Sequence, residues 1–218
     1  MLRLTPIPLK RLSYKAVAWR ARLGLSYGIG QGEFDVVRRE FVVIGGSTRP
    51  NSSSEVAARI CGARAEDMNV HVSYFLGRDL MFPIYDTESP YKVPAAQEFL
   101  DRLRAADGLV ISSPGYHGAL SGMIKNVIDY IEDLRDDERP YLDGRTVGCI
   151  GVAYGWQAAV STLNQLRQIA HALRGWPTPV GAAVNAAVTG WEEVSGEAGV
   201  SAAEHIRLIA DQMISRAS

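Results

Sequence analysis

The sequence predicts an α/β domain built on a doubly wound, five-stranded parallel sheet of order 2-1-3-4-5. Three observations carry that reading. Short β-branched runs alternate with helix-period segments from residue 40 onward. The first such run ends in glycines and opens straight into a helical pattern. A chain of 218 residues, 47% hydrophobic and 22% charged, also suits one folded domain of this kind. Strands that alternate with helices need crossovers, and these cover both faces of a parallel sheet.

In chain order, residues 41–44 form a buried strand, followed by a helix over residues 54–65. Residues 69–75 form the second strand, with Val70, Val72 and Tyr74 on one face because side chains alternate with period two. Residues 77–94 are irregular and contain Pro83, Pro90 and Pro94. A helix over 95–104 leads to the third strand, 108–112. Residues 121–134 form a helix, since Met123, Val127, Tyr130 and Leu134 recur at helical spacing. Residues 146–152 form the fourth strand, 157–173 a helix and 178–184 the fifth strand. The closing helix, 201–217, carries Ile206, Ile209 and Met213 on one stripe.

Residues 1–39 read as a basic, poorly ordered extension and residues 40–218 as the folded domain. The first 32 residues hold six bases and no acid. They lack the apolar core and cleavage site of a secretory signal and faintly resemble an organellar transit peptide, and a mispredicted upstream start codon or a loose arm on a neighbouring subunit explains them as well. Gly28-Ile29-Gly30-Gln31-Gly32 is no dinucleotide fingerprint, because Glu33 stands where the third glycine belongs.

A net charge of −1 argues against nucleic acid or an anionic membrane as partner. Cys61 and Cys149 lie far apart, which suits a reducing, cytoplasmic compartment and gives no zinc spacing. The four histidines show no metal-binding spacing, so no metal is expected. Neither a P-loop nor a nucleophile elbow occurs.

Two stretches carry chemistry. In the first, Val42-Val43-Ile44-Gly45-Gly46 runs into Ser47-Thr48-Arg49-Pro50-Asn51-Ser52-Ser53-Ser54. A strand, a tight turn and a helix N-terminus present N–H groups and a dipole to an anion. Ser47, Ser52, Ser53 and Ser54 add hydroxyls, and Arg49 a guanidinium suited to phosphate. The same serines also read as ordinary helix caps. The second stretch runs from Ser112 to Gly122. There Pro114 fixes a turn, Gly115 and Gly118 admit close approach to a flat ligand, Tyr116 offers an aromatic face and His117 an imidazole. By itself it also reads as a plain strand-to-helix connection. Side by side at the switch point between strands 1 and 3, the two give a phosphate cradle beside a planar slot. That combination suits flavin mononucleotide (FMN).

Gly46-Ser47-x-Arg49-x-x-Ser52, followed by Ser113-Pro114-x-Tyr116-x-Gly118 and Gly122-x-x-Lys125-Asn126-x-x-Asp129, resembles the NAD(P)H-dependent FMN reductase family. That family is flavodoxin-like and includes quinone, azo-dye and chromate reductases. The resemblance implies that Ser47, Arg49, Ser52 and Ser54 bind the FMN phosphate, and that Pro114–Gly118 runs along the isoalloxazine largely through backbone. It implies NADPH or NADH as co-substrate, a small-molecule electron acceptor, and a homodimer or homotetramer. The family commonly has an acidic residue where Gly115 stands and asparagine where His117 stands. Gly155, in the turn after the fourth strand, matches a glycine-rich turn near the flavin. Lys125 and Asp129 are expected to pair on one helix face, and Asn126 to tie that helix to a loop.

The expected reaction passes hydride from NAD(P)H to flavin N5 and then two electrons to the acceptor. It requires no charged catalytic side chain, and Tyr116 and His117 are the candidates to orient substrate or supply a proton. The alternatives are a flavodoxin-like electron carrier without NAD(P)H turnover, or a non-catalytic α/β binding module.

Overall fold

A computed structural model describes residues 39–89, 91–188, 194–195 and 200–216. All of the expected N-terminal extension except Arg39 lies outside the described residues.

The sheet grows from β-branched and aromatic runs whose alternate residues enter opposite cores. Strand β1 (Glu40–Gly45) sends Val42 and Ile44 to one face and Phe41 and Val43 to the other. It lies parallel between β2 (His71–Leu76) and β3 (Gly108–Tyr116). On the far side of β3 runs β5 (Thr146–Ala153), also parallel. The order is therefore β2-β1-β3-β5, with the last edge position beyond β5.

Helices α1 (Ser53–Asp67) and α5 (Ala202–Arg216) cover one face. There Ala57, Ala58 and Cys61 meet Val110, Ile150, Ile206, Ile209 and Met213 in one buried cluster. Val70, Val72 and Tyr74 share that side, as their alternation predicts. Helices α2 (Pro94–Ala105), α3 (Gly122–Asp129) and α4 (Trp156–Ala172) cover the other face, where Phe99, Leu103, Ile124, Val127, Leu134 and Leu166 pack on Leu109 and Ile111. Burying strands on both sides is what makes their sequences read as continuous apolar runs.

Three expected elements differ. The fifth strand, expected over 178–184, is two short pieces, β6 (Trp176–Pro177) and β7 (Ala182–Asn185), each parallel to β5. Pro179 has no N–H for the ladder, and the next amide, Val180, donates instead to Gln212 Oε1 at 2.9 Å. The helix expected over 121–134 is α-helical only to Asp129 and continues as a 3₁₀ turn over Tyr130–Leu134. The third strand, expected to stop at residue 112, runs on to Tyr116 and folds back into β4 (Ala119–Leu120). Within the irregular 77–94 stretch, Gly77–Leu80 forms a 3₁₀ turn.

Candidate functional site

The parallel strands all end on one side, and the turns after β1, β3 and β5 meet there. After β1, Gly46 has φ +106°, and its N–H donates to the Ser112 carbonyl at 3.3 Å. A side chain at 46 would meet the Gly77 nitrogen at 3.1 Å, so the turn needs glycine for both conformation and space. Asn51, at φ +54°, brings the chain back to the helix.

Ser52 is the N-cap of α1 and is buried. Its Oγ accepts from Glu55 N at 3.3 Å and Ser47 N at 3.2 Å, and lies 3.3 Å from the buried Ser54 Oγ. Ser52 therefore caps the helix, and the Ser54 hydroxyl lies beside it at the helix mouth. The two hydroxyls have two protons between them and share one hydrogen bond, so one O–H is left to donate outward. The N–H groups of Ser53 and Ser54, in the first helical turn, have no intrahelical partner. Ser47 is half-buried, and its Oγ accepts from Arg49 N at 3.3 Å. Arg49 is exposed, and no carboxylate among the described residues pairs with it. The nearby carboxylate of Glu55 accepts from Asn51 N at 3.1 Å and is neutralised by Arg59 at 2.9 Å. The turn thus offers N–H, O–H and guanidinium donors to an anion, which fits a phosphate.

After β3 the chain makes a two-residue hairpin rather than an open connection. Tyr116 pairs with Ala119 and Gly115 with Leu120. The turn residues His117 and Gly118 have φ of +53° and +82°, the double positive φ of a type I′ turn. Tyr116, His117 and Gly118 are exposed, and a Cβ at Gly118 would meet nothing within 4 Å. Gly118 therefore leaves open the space expected for a flat ligand. Gly115 does not: a side chain there would point into α4, 2.6 Å from Thr162 Oγ1. Its lack of a Cβ serves helix packing. Pro114 is buried within β3. Ser113 Oγ accepts from Ser121 N at 3.0 Å, closing the hairpin base.

Beyond β5, Gly155 is the N-cap of α4, with extended backbone and open space around it. Tyr154 and Trp156 beside it are exposed rather than core aromatics.

The flanks behave as expected. Lys125 pairs with Asp129. Asn126 ties α3 to the loop after β2, accepting from Tyr85 N at 2.8 Å and donating to Pro83 O at 2.9 Å. Two residues at the hairpin escaped the sequence reading, Ser161 and Gln165 of α4, whose side chains bond to its backbone. They lie more than 40 positions away in sequence and belong to no motif. No cluster of three or more potential metal ligands occurs among the described residues.

Comparison with known proteins bears on this arrangement. The chain is 29% identical over 128 residues to an NADPH azoreductase from Bacillus sp. (strain OY1-2), a match covering 58% of this chain and 66% of that protein. The chain thus spans a little under two thirds of that relative's length. An oxidoreductase from Corynebacterium diphtheriae shares the fold at a TM-score of 0.63 and 19% identity, over 82% of this chain and 96% of that one. A flavodoxin from Streptococcus pneumonia TIGR4 superposes at 0.51 and 16% identity, over 81% and 98%. The architecture is flavodoxin-like. Residues 40–189, with both turns inside them, match the family described as NADPH-dependent FMN reductase, and the chain belongs to that family.

Proposed function

We propose that this chain is an FMN-dependent NAD(P)H oxidoreductase that reduces a small-molecule acceptor. The observation that carries the reading is the meeting, at one end of the sheet, of an anion-binding turn with unused donors and an exposed, open-sided hairpin. FMN held there would supply the hydride-accepting and two-electron chemistry. The protein's part is placement. Arg49, Ser47, Ser52, Ser53 and Ser54 hold the phosphate. The backbone of Pro114–Gly118 runs along the ring, with Gly155 at the neighbouring strand end. Tyr116 and His117, exposed on the hairpin, orient the acceptor or give it a proton.

The acceptor in this proposal is a planar conjugated molecule such as a flavin, a quinone or an azo compound. The name of the azoreductase relative supports the last of these. Assembly as a homodimer or homotetramer is supported by the outward side of α4, where Trp156, Gln157, Val160, Asn164 and Gln168 are exposed and uncharged. No described helix is long and apolar enough to cross a membrane, and the proposed setting is the cytoplasm.

The test is the visible spectrum of purified protein mixed with FMN, then anaerobic addition of NADPH or NADH. Bleaching of bound flavin, followed by reoxidation with a quinone or azo dye, is the expected result. Flavin that binds but survives both reductants makes the chain an electron carrier, and failure to bind makes it a binding module. Arg49→Ala should weaken FMN retention without altering the fold.

A further inference from the structure

We infer that Ser161 and Gln165 are positioning residues for the flavin ring, acting by clamping the tip of the β3–β4 hairpin to α4. The inference rests on the FMN reading above and adds residues to that site. Ser161 Oγ donates to the Gly118 carbonyl at 2.7 Å, and Gln165 Nε2 donates to the same oxygen at 3.0 Å. Gln165 Oε1 accepts from Leu120 N at 3.2 Å. A carbonyl only accepts and an N–H only donates, so this pair of contacts fixes which way the Gln165 amide points. Ser161 and Gln165 are four residues apart and share one helix face, with Gln165 Nε2 3.4 Å from Ser161 Oγ.

The hairpin needs such a hold. Strand β4 has two residues, and a pair of strands that short is not stable alone. The tip also buries little, since Tyr116, His117 and Gly118 are all exposed. The tip itself lies outside the core, while Leu120 at the hairpin base packs against it. What the clamp does fix is the 116–118 backbone, the segment that runs along the ring in the proposed site. The helix doing the holding is itself seated without slack. Side chains at Gly115 and Gly151 would come within 2.6 Å of Thr162 Oγ1 and 2.5 Å of the Ala159 carbonyl. The clamp therefore refers the hairpin to a rigid body, which is what a preorganised binding surface requires.

The experiment compares wild type, the Ser161→Ala/Gln165→Ala double variant, Ser161→Thr and Arg49→Ala. Each is titrated with FMN and with riboflavin, which has the ring and lacks the phosphate. The double variant should raise both dissociation constants by the same factor, about tenfold for the loss of the clamp hydrogen bonds. Arg49→Ala should raise only the FMN constant, and Ser161→Thr, which keeps the hydroxyl donor, should stay near wild type. In flavin-free protein, amide exchange in the double variant should quicken at residues 117–120 and stay unchanged in the core of β3. Wild-type affinities in the double variant overturn the clamp and leave the FMN reading standing. So does loss of FMN affinity alone, or fast exchange spread through β3. A wild-type chain that binds neither flavin overturns the parent reading and the clamp with it.

Discussion

The hydroxyl of Ser112 donates to the carbonyl of Ser54 at 2.8 Å, with both residues buried. Ser112 stands near the middle of β3, and Ser54 in the first turn of α1. The carbonyl of Ser112 also receives the N–H of Gly46. One residue of β3 thus holds the β1–α1 turn at its entry and at its exit, and the same strand continues four residues on into the hairpin.

Ser112→Ala removes that donor and leaves a buried carbonyl with one partner fewer. It should cost about 1–2 kcal/mol of stability. FMN affinity should fall severalfold, because the turn loses its reference to β3. Urea denaturation and a flavin titration measure the two effects, and unchanged binding would separate the turn from the strand.

His117→Asn tests the hairpin from the other side. A type I′ turn favours Asn-Gly, and φ of +53° is easier for asparagine than for histidine. The melting temperature should hold or rise slightly while kcat/KM with a quinone or azo acceptor drops. A variant that matches wild type in both would remove the imidazole from the proposed mechanism. Gly118→Ala, at φ +82°, should instead destabilise by about 1 kcal/mol despite the open space around it.

Asn126→Ala should free the loop after β2. The side chain holds Phe82, Pro83 and Tyr85 through three hydrogen bonds, while the neighbouring Ile84 is 88% exposed. We expect a loss of about 2–3 kcal/mol and new proteolytic cleavage near residue 84. A cleavage pattern identical to wild type would show that Tyr130, whose hydroxyl also reaches the Pro83 carbonyl, holds the loop unaided.

Burial pushes the thiols of Cys61 and Cys149 up to about 12 from an ordinary 9.0. In the unfolded chain they ionise near pH 9, and in the folded one they stay neutral. The stability they confer is therefore complete below about pH 9 and is lost as pH rises toward 12. Urea midpoints should fall between pH 8 and pH 10.5, less steeply in a Cys61→Ala/Cys149→Ala variant. Native protein at pH 8 should resist iodoacetamide that labels it readily in urea.

The sheet was legible because its residues obey simple periods: Phe41 and Val43 against Val42 and Ile44, or Ile206, Ile209 and Met213 along α5. The turn between β1 and α1 could be picked out because glycine, hydroxyls and arginine sit next to one another in sequence. The hairpin was not. Its return strand is two residues long, and its turn uses histidine at a positive φ where asparagine is the usual signal. The clamp was hidden for a different reason, since Ser161 and Gln165 look like ordinary polar helix residues until the fold brings them to Gly118. Arg145 belongs to no motif, yet it is 1% exposed, donates to the carbonyls of Leu103, Arg104 and Tyr141, and has its pKa lowered by burial to about 10.

Position 115 has a consequence for how such chains can diverge. Helix α4 lies so close that the first carbon of any side chain at Gly115 would reach Thr162, whose own hydroxyl is buried without a hydrogen-bond partner. The acidic residue typical of this place in the family is therefore closed to this chain as a single change. It becomes open only if residue 162 shrinks or the helix retreats. A retreat of the helix would also carry Ser161, which sits beside Thr162 and grips the hairpin. A larger residue at 115 accommodated by the helix moving would thus be felt at the tip of the turn above it, whereas one accommodated by a smaller residue 162 would not.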